Sequence, residues 1–574
     1  MDNDHKTDSP QGFSLVDMLA DLDLGHEIDA ANPGGMAWSW ANPEAFHRVL
    51  ATWDTQTSGP SKNRPFAQCD LYHDLVYRHR GSGRVAFRGW TEAGEWSELS
   101  YRRLHHQSTS LASAWRRLGA QAGAKAVMVQ DMGEGFVLGL VTALRLGLSL
   151  TYLPVLGPKA IAARIAAAKP VFVITDRQSA FAAPKDLQHL LVEDLPQTPD
   201  DEGVGSHTYR EAEVAFRLFS PLRRQATEMV PLTAGRAHRR SLCDAIVLHR
   251  IASGDRIAAP GLDAMQHQPA TIMAALIRGA TFVHVPPGAL EATPALLWEK
   301  PLASLGVGVT LRDLCLHARV QRPQIRSWYR DPTHFSDWRA WRSFVSDLQI
   351  GDIPVTNAVV EAATGGALMT SARRPGGIGQ LVLPAAGRPW ALADLVSGQQ
   401  AAIPGFGLFK PTGEAFRSLT PMVLVRHGEE LFFGDRARPA KGGKRWPSEE
   451  VIAEAMAMPG VEGASAHVLF TGEAAGRYAN ALVVFTGANP VDSEALASSL
   501  RQRLRRGYGP DWVPDHITVA PILPRLSGAA VDHAWCEGQL LTGLLHQKAR
   551  LETFRLLTAL KSAVRPRTPA GRTT

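Results

Sequence analysis

Cysteine is scarce in this chain. Four occur in 574 residues, Cys69, Cys243, Cys315 and Cys536, far apart and with no CxxC pair. That excludes a disulfide framework and a zinc ribbon, and fits reduced intracellular thiols. Charge of neither sign accumulates: 61 basic and 55 acidic residues leave a net +6, with no run of five basic residues to grip nucleic acid. Long apolar runs are missing too. The longest, "FVLGLVTALRLGLSLTYLPVL", is broken by Arg145 and by glycines, so it reads as a core helix feeding a buried strand and not as a membrane span. The opening "MDNDHKTDSP" has no apolar core of the secretory kind, and the expected location is cytoplasmic. HExxH, GxSxG and a Walker loop are all absent. "HHQSTS" (His105 to Ser110) ends in serine where an HHxxxD acyltransferase motif needs aspartate, and His73 and His79 are six apart, not a helical metal pair. No catalytic residue and no metal ligand is therefore assigned.

What is present is an ordinary globular composition, 45% apolar and 20% charged, in a chain long enough for two or more domains. From about 68 to 180 helical and strand patterns alternate. "LSYRRLHHQSTSLASAWRRLGA" has helical period and stops at Gly119, a C-cap glycine; "AKAVMVQ" and "PVFVITD" are short buried strands; "EGFVLGLVTALRLG" is a helix. Strands separated by helices of this length imply a parallel sheet with crossover helices. The pattern continues through "GDRIAAPG", "TIMAALIRGATFVHVPP" and "GVGVTL", and a strand-rich stretch follows. The expected organisation is a polar leader with a short amphipathic helix (1–40), a large α/β domain (41–433), a small α+β domain (434–535), and an amphipathic helix with a disordered basic tail (536–574). The tryptophan-rich "WYRDPTHFSDWRAWRSF" (Trp328 to Phe344) is read as core.

Several stretches, in order, resemble the adenylate-forming superfamily of acyl-CoA synthetases over roughly residues 68 to 535. "DLYHDLVYRHRGSGRVAFRG" resembles its opening, "SGDRIAAPG … ALIRGATFVHV" its middle, "TGGALMT" (Thr364 to Thr370) the segment after its adenine-binding motif, and "PSEEVIAEAMAMPGVEGASAHV" with "VPDHITVAPILPRLSG" its C-terminal domain. The resemblance implies an α/β fold with a large N-terminal and a small C-terminal domain. It also implies chemistry in which ATP activates a carboxylate to an acyl-adenylate before transfer to coenzyme A.

Each part that this chemistry needs maps onto a position that lacks it. The phosphate loop falls on "SPLRRQATE" (Ser220 to Glu228), within "RLFSPLRRQATEMVPLTAGR". It has no glycine, its proline removes an amide donor, and Glu228 sets negative charge beside phosphates. Arg223 and Arg224 attract anions but do not rebuild a backbone nest. The aromatic-Thr-Glu turn maps to Glu361-Ala362-Ala363, with Ala363 at the carboxylate position and Glu361 two residues away. The ribose aspartate is expected near Thr420, where no acid stands. The hinge reads "GDRARPAKGGKR" (Gly434 to Arg445), shortened and holding Pro439, so fewer domain orientations are expected. The Ser-Gly-Lys motif keeps Ser527 and Gly528 but has Ala529 for its lysine, and a methyl group supplies no charge.

The resulting expectation is an acyl-CoA synthetase-like fold without its reaction, acting as a binding, regulatory or scaffolding pseudoenzyme. The alternative is a divergent ATP-dependent carboxylate–CoA ligase. By the resemblance, Thr364, Gly365, Gly366, Gly443 and Arg445 are the candidate cofactor-binding residues. No cofactor is expected; a surviving ligand would be ATP, AMP or coenzyme A. A protein partner is expected at the C-terminal helix, whose Leu541, Leu544, Leu545, Leu551, Phe554, Leu557 and Leu560 recur at helical spacing, or at the N-terminal leader.

Overall fold

The computed structural model describes residues 36–155, 157–177, 187–194, 205–219, 229–260, 262, 267–332, 338–371, 373–378, 381–393, 406–411, 422–427, 430–436, 446, 448–470, 478–487, 491–520, 526–527, 530–531 and 536. Residues 1–35 of the leader, the expected phosphate loop, the hinge past Arg436 and residues 537–574 lie outside these residues, and the end of the leader begins helix Met36–Ala41.

Two large sheets organise the N-terminal part. The first runs Met229–Thr233, Val214–Phe219, Ser149–Leu153, Lys125–Val129, Phe172–Thr175, Gln188–Leu191; all neighbours are parallel except the first pair. Its crossover helices are Glu134–Leu146, read from the sequence, and Pro158–Ala168, while Tyr101–Arg117, also read from the sequence, leads into its strand Lys125–Val129. Glu134–Leu146 ends at Gly147 with φ 75°, and Tyr101–Arg117 is capped at its start by the Ser100 side chain and followed by Gly119 with φ 92°. The second sheet has a parallel centre: Thr281–His284, Arg256–Ala258, Ser304–Gly306, Trp328–Arg330 and Pro354–Glu361. Val85–Trp90 continues the parallel part beside Thr281–His284, and antiparallel strands extend the sheet on both sides, Trp96–Ser100 at one and Gly366–Thr370 and beyond at the other. One apolar core joins elements of both sheets, from Phe46 and Leu50 through Tyr101, Phe136, Leu150 and Phe216 to Ile272, Phe282 and Ala363. Trp328, Trp341 and Phe344 pack in a second core, as read from the sequence.

Residues 446 to 519 form a core of their own, in which Val451, Leu482, Val484, Leu500, Leu504 and Val519 are buried between helices Ser448–Met456 and Ser493–Gly507 and a three-stranded sheet. This is the small α+β unit. It docks on helix Pro158–Ala168 of the large part. The Gly157 amide donates to Tyr508 O at 3.0 Å. Lys159 Nζ lies 2.8 Å from both carboxylate oxygens of Glu454, which also accepts from Tyr508 Oη (2.9 Å) and Arg503 Nε. Burial would raise the Glu454 carboxyl, but these donors hold it below its ordinary range. Arg164 stacks across the same seam, over Phe219 on one side and Trp512 on the other.

The four cysteines are free and buried, and burial pushes the Cys243 thiol up to about 11. No helix among the described residues is long and apolar enough to cross a membrane.

Candidate functional site

The frame around the expected phosphate loop is present. Strands Val214–Phe219 and Met229–Thr233 pair antiparallel, Leu218 opposite Val230, and bracket residues 220–228, which lie outside the described residues. Thr233 then caps helix Ala234–Cys243, its hydroxyl accepting from Arg236 N at 3.4 Å. The one glycine of the stretch, Gly235, serves this helix and not the loop. A Cβ there would lie 2.0 Å from Glu211 Oε2, so glycine makes room for a carboxylate against the helix's first turn. The dipole favours an anion at that end, and Arg239 pairs with the same group at 2.5 Å. The chain thus supplies its own anion there.

The three candidate residues Thr364, Gly365 and Gly366 sit together in the turn that joins strands Pro354–Glu361 and Gly366–Thr370. Gly365 takes φ 89° and Gly366 φ 151°, which only glycine adopts readily. The whole turn is buried: Ala363 and Thr364 are 0% exposed, and Ala362 is 7% exposed. Its surroundings are charged and tightly paired. Asp244 Oδ2 accepts from Ala367 N at 2.8 Å and would lie 2.0 Å from any Cβ at Gly366. Arg240, one helical turn before Asp244, pairs with it at 3.4 Å and donates to the carbonyls of Ala386 (2.7 Å) and Ala367 (3.3 Å). Arg388 Nη2 donates to Thr364 O at 3.3 Å. Burial raises the Asp244 carboxyl, and Arg240, the Ala367 amide and Arg388 work against that shift.

Glu361, the acid two residues from the expected carboxylate position, turns back on its own turn. Its Oε1 accepts from Ala363 N at 3.2 Å, and the residue is buried. Helix Pro43–Ser58 closes the region from outside: Phe46 and His47 lie where a Cβ on Gly387 would fall, at 2.6 and 2.9 Å, and Gly387 N donates to Ser39 Oγ. Burial, then the charges of Arg240 and Arg239, hold His47 well below the ordinary histidine range, so it is neutral. By the resemblance Ala363 stands at the carboxylate position, and its buried methyl group offers no metal ligand there.

Gly443 and Arg445 lie outside the described residues. Ser527 pairs antiparallel with Ala530, and Gly528 and Ala529 are also outside the described residues. Arg240, Asp244 and Arg388 were not singled out from the sequence. The i, i+4 spacing of Arg240 and Asp244 was visible, but its partner turn lies 120 residues away. His105 of "HHQSTS" hydrogen-bonds Tyr72 Oη at 2.9 Å on the helix read from the sequence, and His73 and His79 are apart, one on Asp74 and the other against Tyr101.

The two-sheet α/β body with a small α+β unit docked on it is a fold shared with solved acyl-CoA synthetases. Residues 76–235 match the family described as AMP-binding enzyme. The fold is shared with o-succinylbenzoate CoA synthetase from Bacillus subtilis (TM-score 0.66, 14% identity, 81% of this chain and 98% of that one). It is shared as well with acetoacetyl-CoA synthetase from Streptomyces lividans (0.62, 14%, 96% and 98%) and an acyl-CoA synthetase from Brucella canis (0.55, 16%, 84% and 96%). No curated protein matches the chain by sequence.

Proposed function

We propose that this chain is an acyl-CoA synthetase-like pseudoenzyme: it keeps the adenylate-forming scaffold, forms no acyl-adenylate, and acts by binding, as a regulatory or scaffolding protein. The observation that carries this reading is the burial of the Ala362–Gly366 turn, with Ala363 at the carboxylate position sealed in the main core and Asp244 packed against Gly366. A working site needs its charged groups aimed at the place where charge develops in the transition state. Here the charges beside the turn are engaged by one another and by backbone groups, the Ala367 amide and the Ala386 and Thr364 carbonyls. The sequence adds Ala529 in place of the lysine and a phosphate loop without glycine. Any nucleotide or coenzyme A binding that survives would then serve recognition.

Calorimetry with magnesium-ATP, AMP, coenzyme A and an acyl-CoA, followed by product analysis of the same mixtures, tests the reading. Binding, or none, without conversion of ATP fits it. Formation of an acyl-CoA from ATP, a carboxylate and coenzyme A overturns it in favour of a divergent ligase.

A further inference from the structure

The parallel centre of the second sheet has two ends. Strand Pro354–Glu361 carries the buried turn at its C-terminal end, and arginines gather near its other end, about 25 Å away for eight residues of extended chain. Val355 pairs with Arg374 on one side and with Trp328 on the other, so Arg373 and Arg326, two residues before Trp328, lie around the starts of these strands. Arg326 is fixed there by three contacts: Nη2 to Asp255 Oδ2 (2.6 Å), Nη1 to Asp255 Oδ1 (3.3 Å) and Nη2 to Arg250 O (2.8 Å). Arg250 itself is a non-glycine residue at φ 49°, which turns the chain at this edge.

Arg373 differs from its neighbours. Its Nη1 is buried with no acceptor, and among the described residues no carboxylate pairs with it. Burial first, then the charges of Arg250 and Arg326, bring its guanidinium down to about 10. Asp255 does not relieve it, because both its oxygens are held by Arg326 and one also accepts from Ala252 N. A guanidinium placed among like charges costs folding free energy that an anion beside it would recover. Arg373 is only partly covered, so a small anion can approach it from solvent. The planar fork of arginine suits an oxyanion with two oxygens on one edge.

We propose that Arg373, with Arg326 and Arg250 beside it, is a receptor for a small oxyanion, a phosphate group or a carboxylate, at the opposite end of the sheet from the Thr-Gly-Gly turn. This site does not depend on whether the turn supports adenylation.

The test is titration of the full chain with inorganic phosphate and, separately, with acetate, at constant ionic strength against chloride, read by calorimetry and thermal denaturation. Saturable binding of either anion is expected, and the stronger of the two identifies the source. Arg373→Gln is expected to weaken it at least ~10-fold, the value of one charge-assisted hydrogen-bonded contact. It should also raise the melting temperature of the anion-free protein, because a buried unpaired charge is removed. Arg373→Lys, which keeps the charge and loses the fork, should fall between, and Arg374→Gln on the exposed neighbour should change neither reading. No saturable binding of either anion, undiminished binding in Arg373→Gln, or a lower anion-free melting temperature in that variant would each overturn the proposal.

Discussion

Replacing Gly157 by alanine should loosen the small unit from the large one without damaging either core. Gly157 sits at φ −60°, ψ 150°, where alanine is unstrained. A Cβ there would lie 2.4 Å from Tyr508 N, 2.5 Å from Gly507 C and 2.6 Å from Gly507 O, and these are backbone atoms that cannot swing aside. Ordinary contact needs ~3.5 Å, so the seam must open by about 1 Å. That breaks the Gly157–Tyr508 hydrogen bond, a loss of about 1 kcal/mol. It also strains the Lys159–Glu454 pair; since the Lys159 side chain is 43% exposed, solvent screening limits that term to at most ~1 kcal/mol. Together these bias docking by roughly 5- to 30-fold toward the separated state. Dyes on exposed helix positions Arg102 and Arg501 report the distance by single-molecule energy transfer, and the four buried cysteines leave the surface clear for labelling. The wild type should show one narrow distance and Gly157→Ala a second, longer one. Two well-populated distances in the wild type, or identical distributions in both proteins, would refute the latch.

Ala363→Glu restores the family's carboxylate in sequence, but it should destabilise the fold by ~3–5 kcal/mol, because it places an unpaired charge in the main core; a urea midpoint equal to wild type would show an open cleft instead. Stability should also fall in acid. His79 and His249 are buried, and desolvation, with Arg78 beside the first and Arg373 beside the second, brings both down to about 3 from the ordinary 6.5. Between pH 6.5 and about 3 the unfolded chain therefore binds more protons than the folded one, and each histidine costs ~1.4 kcal/mol of stability per pH unit lost. Denaturation at pH 7 and pH 5 checks this, and His249→Gln should flatten the slope; equal midpoints at both pH values would contradict it.

The scaffold was legible because its signals are local. Gly119 and Gly147 stop their helices in the left-handed region, as C-cap glycines do. The apolar run around Leu138 and Leu150 becomes a buried helix and strand, as its length required. The candidate site was legible only as positions. That Ala363 replaces a carboxylate can be read from the chain, but the filling of the space beside it cannot. Asp244 meets Gly366 across 122 residues, and Arg388 reaches Thr364 from a loop with no periodic pattern. Gly235, the one glycine of its stretch, lies past the expected phosphate loop, and its missing Cβ accommodates Glu211. The latch at Glu454 was hidden for the same reason, since Lys159 lies 295 residues away.

The central claim is that the scaffold forms no acyl-adenylate. Losing one preorganised charged group commonly costs ~10²–10³ in rate, and by the resemblance the lysine, carboxylate and phosphate-loop positions read Ala529, Ala363 and Ser220 to Glu228. The direct measurement is carboxylate-dependent exchange of labelled pyrophosphate into ATP, over a panel from acetate to long-chain and aromatic acids, with an active acyl-CoA synthetase run alongside. The account predicts exchange at the level of the no-enzyme blank for every acid. Robust exchange with any one of them would contradict it.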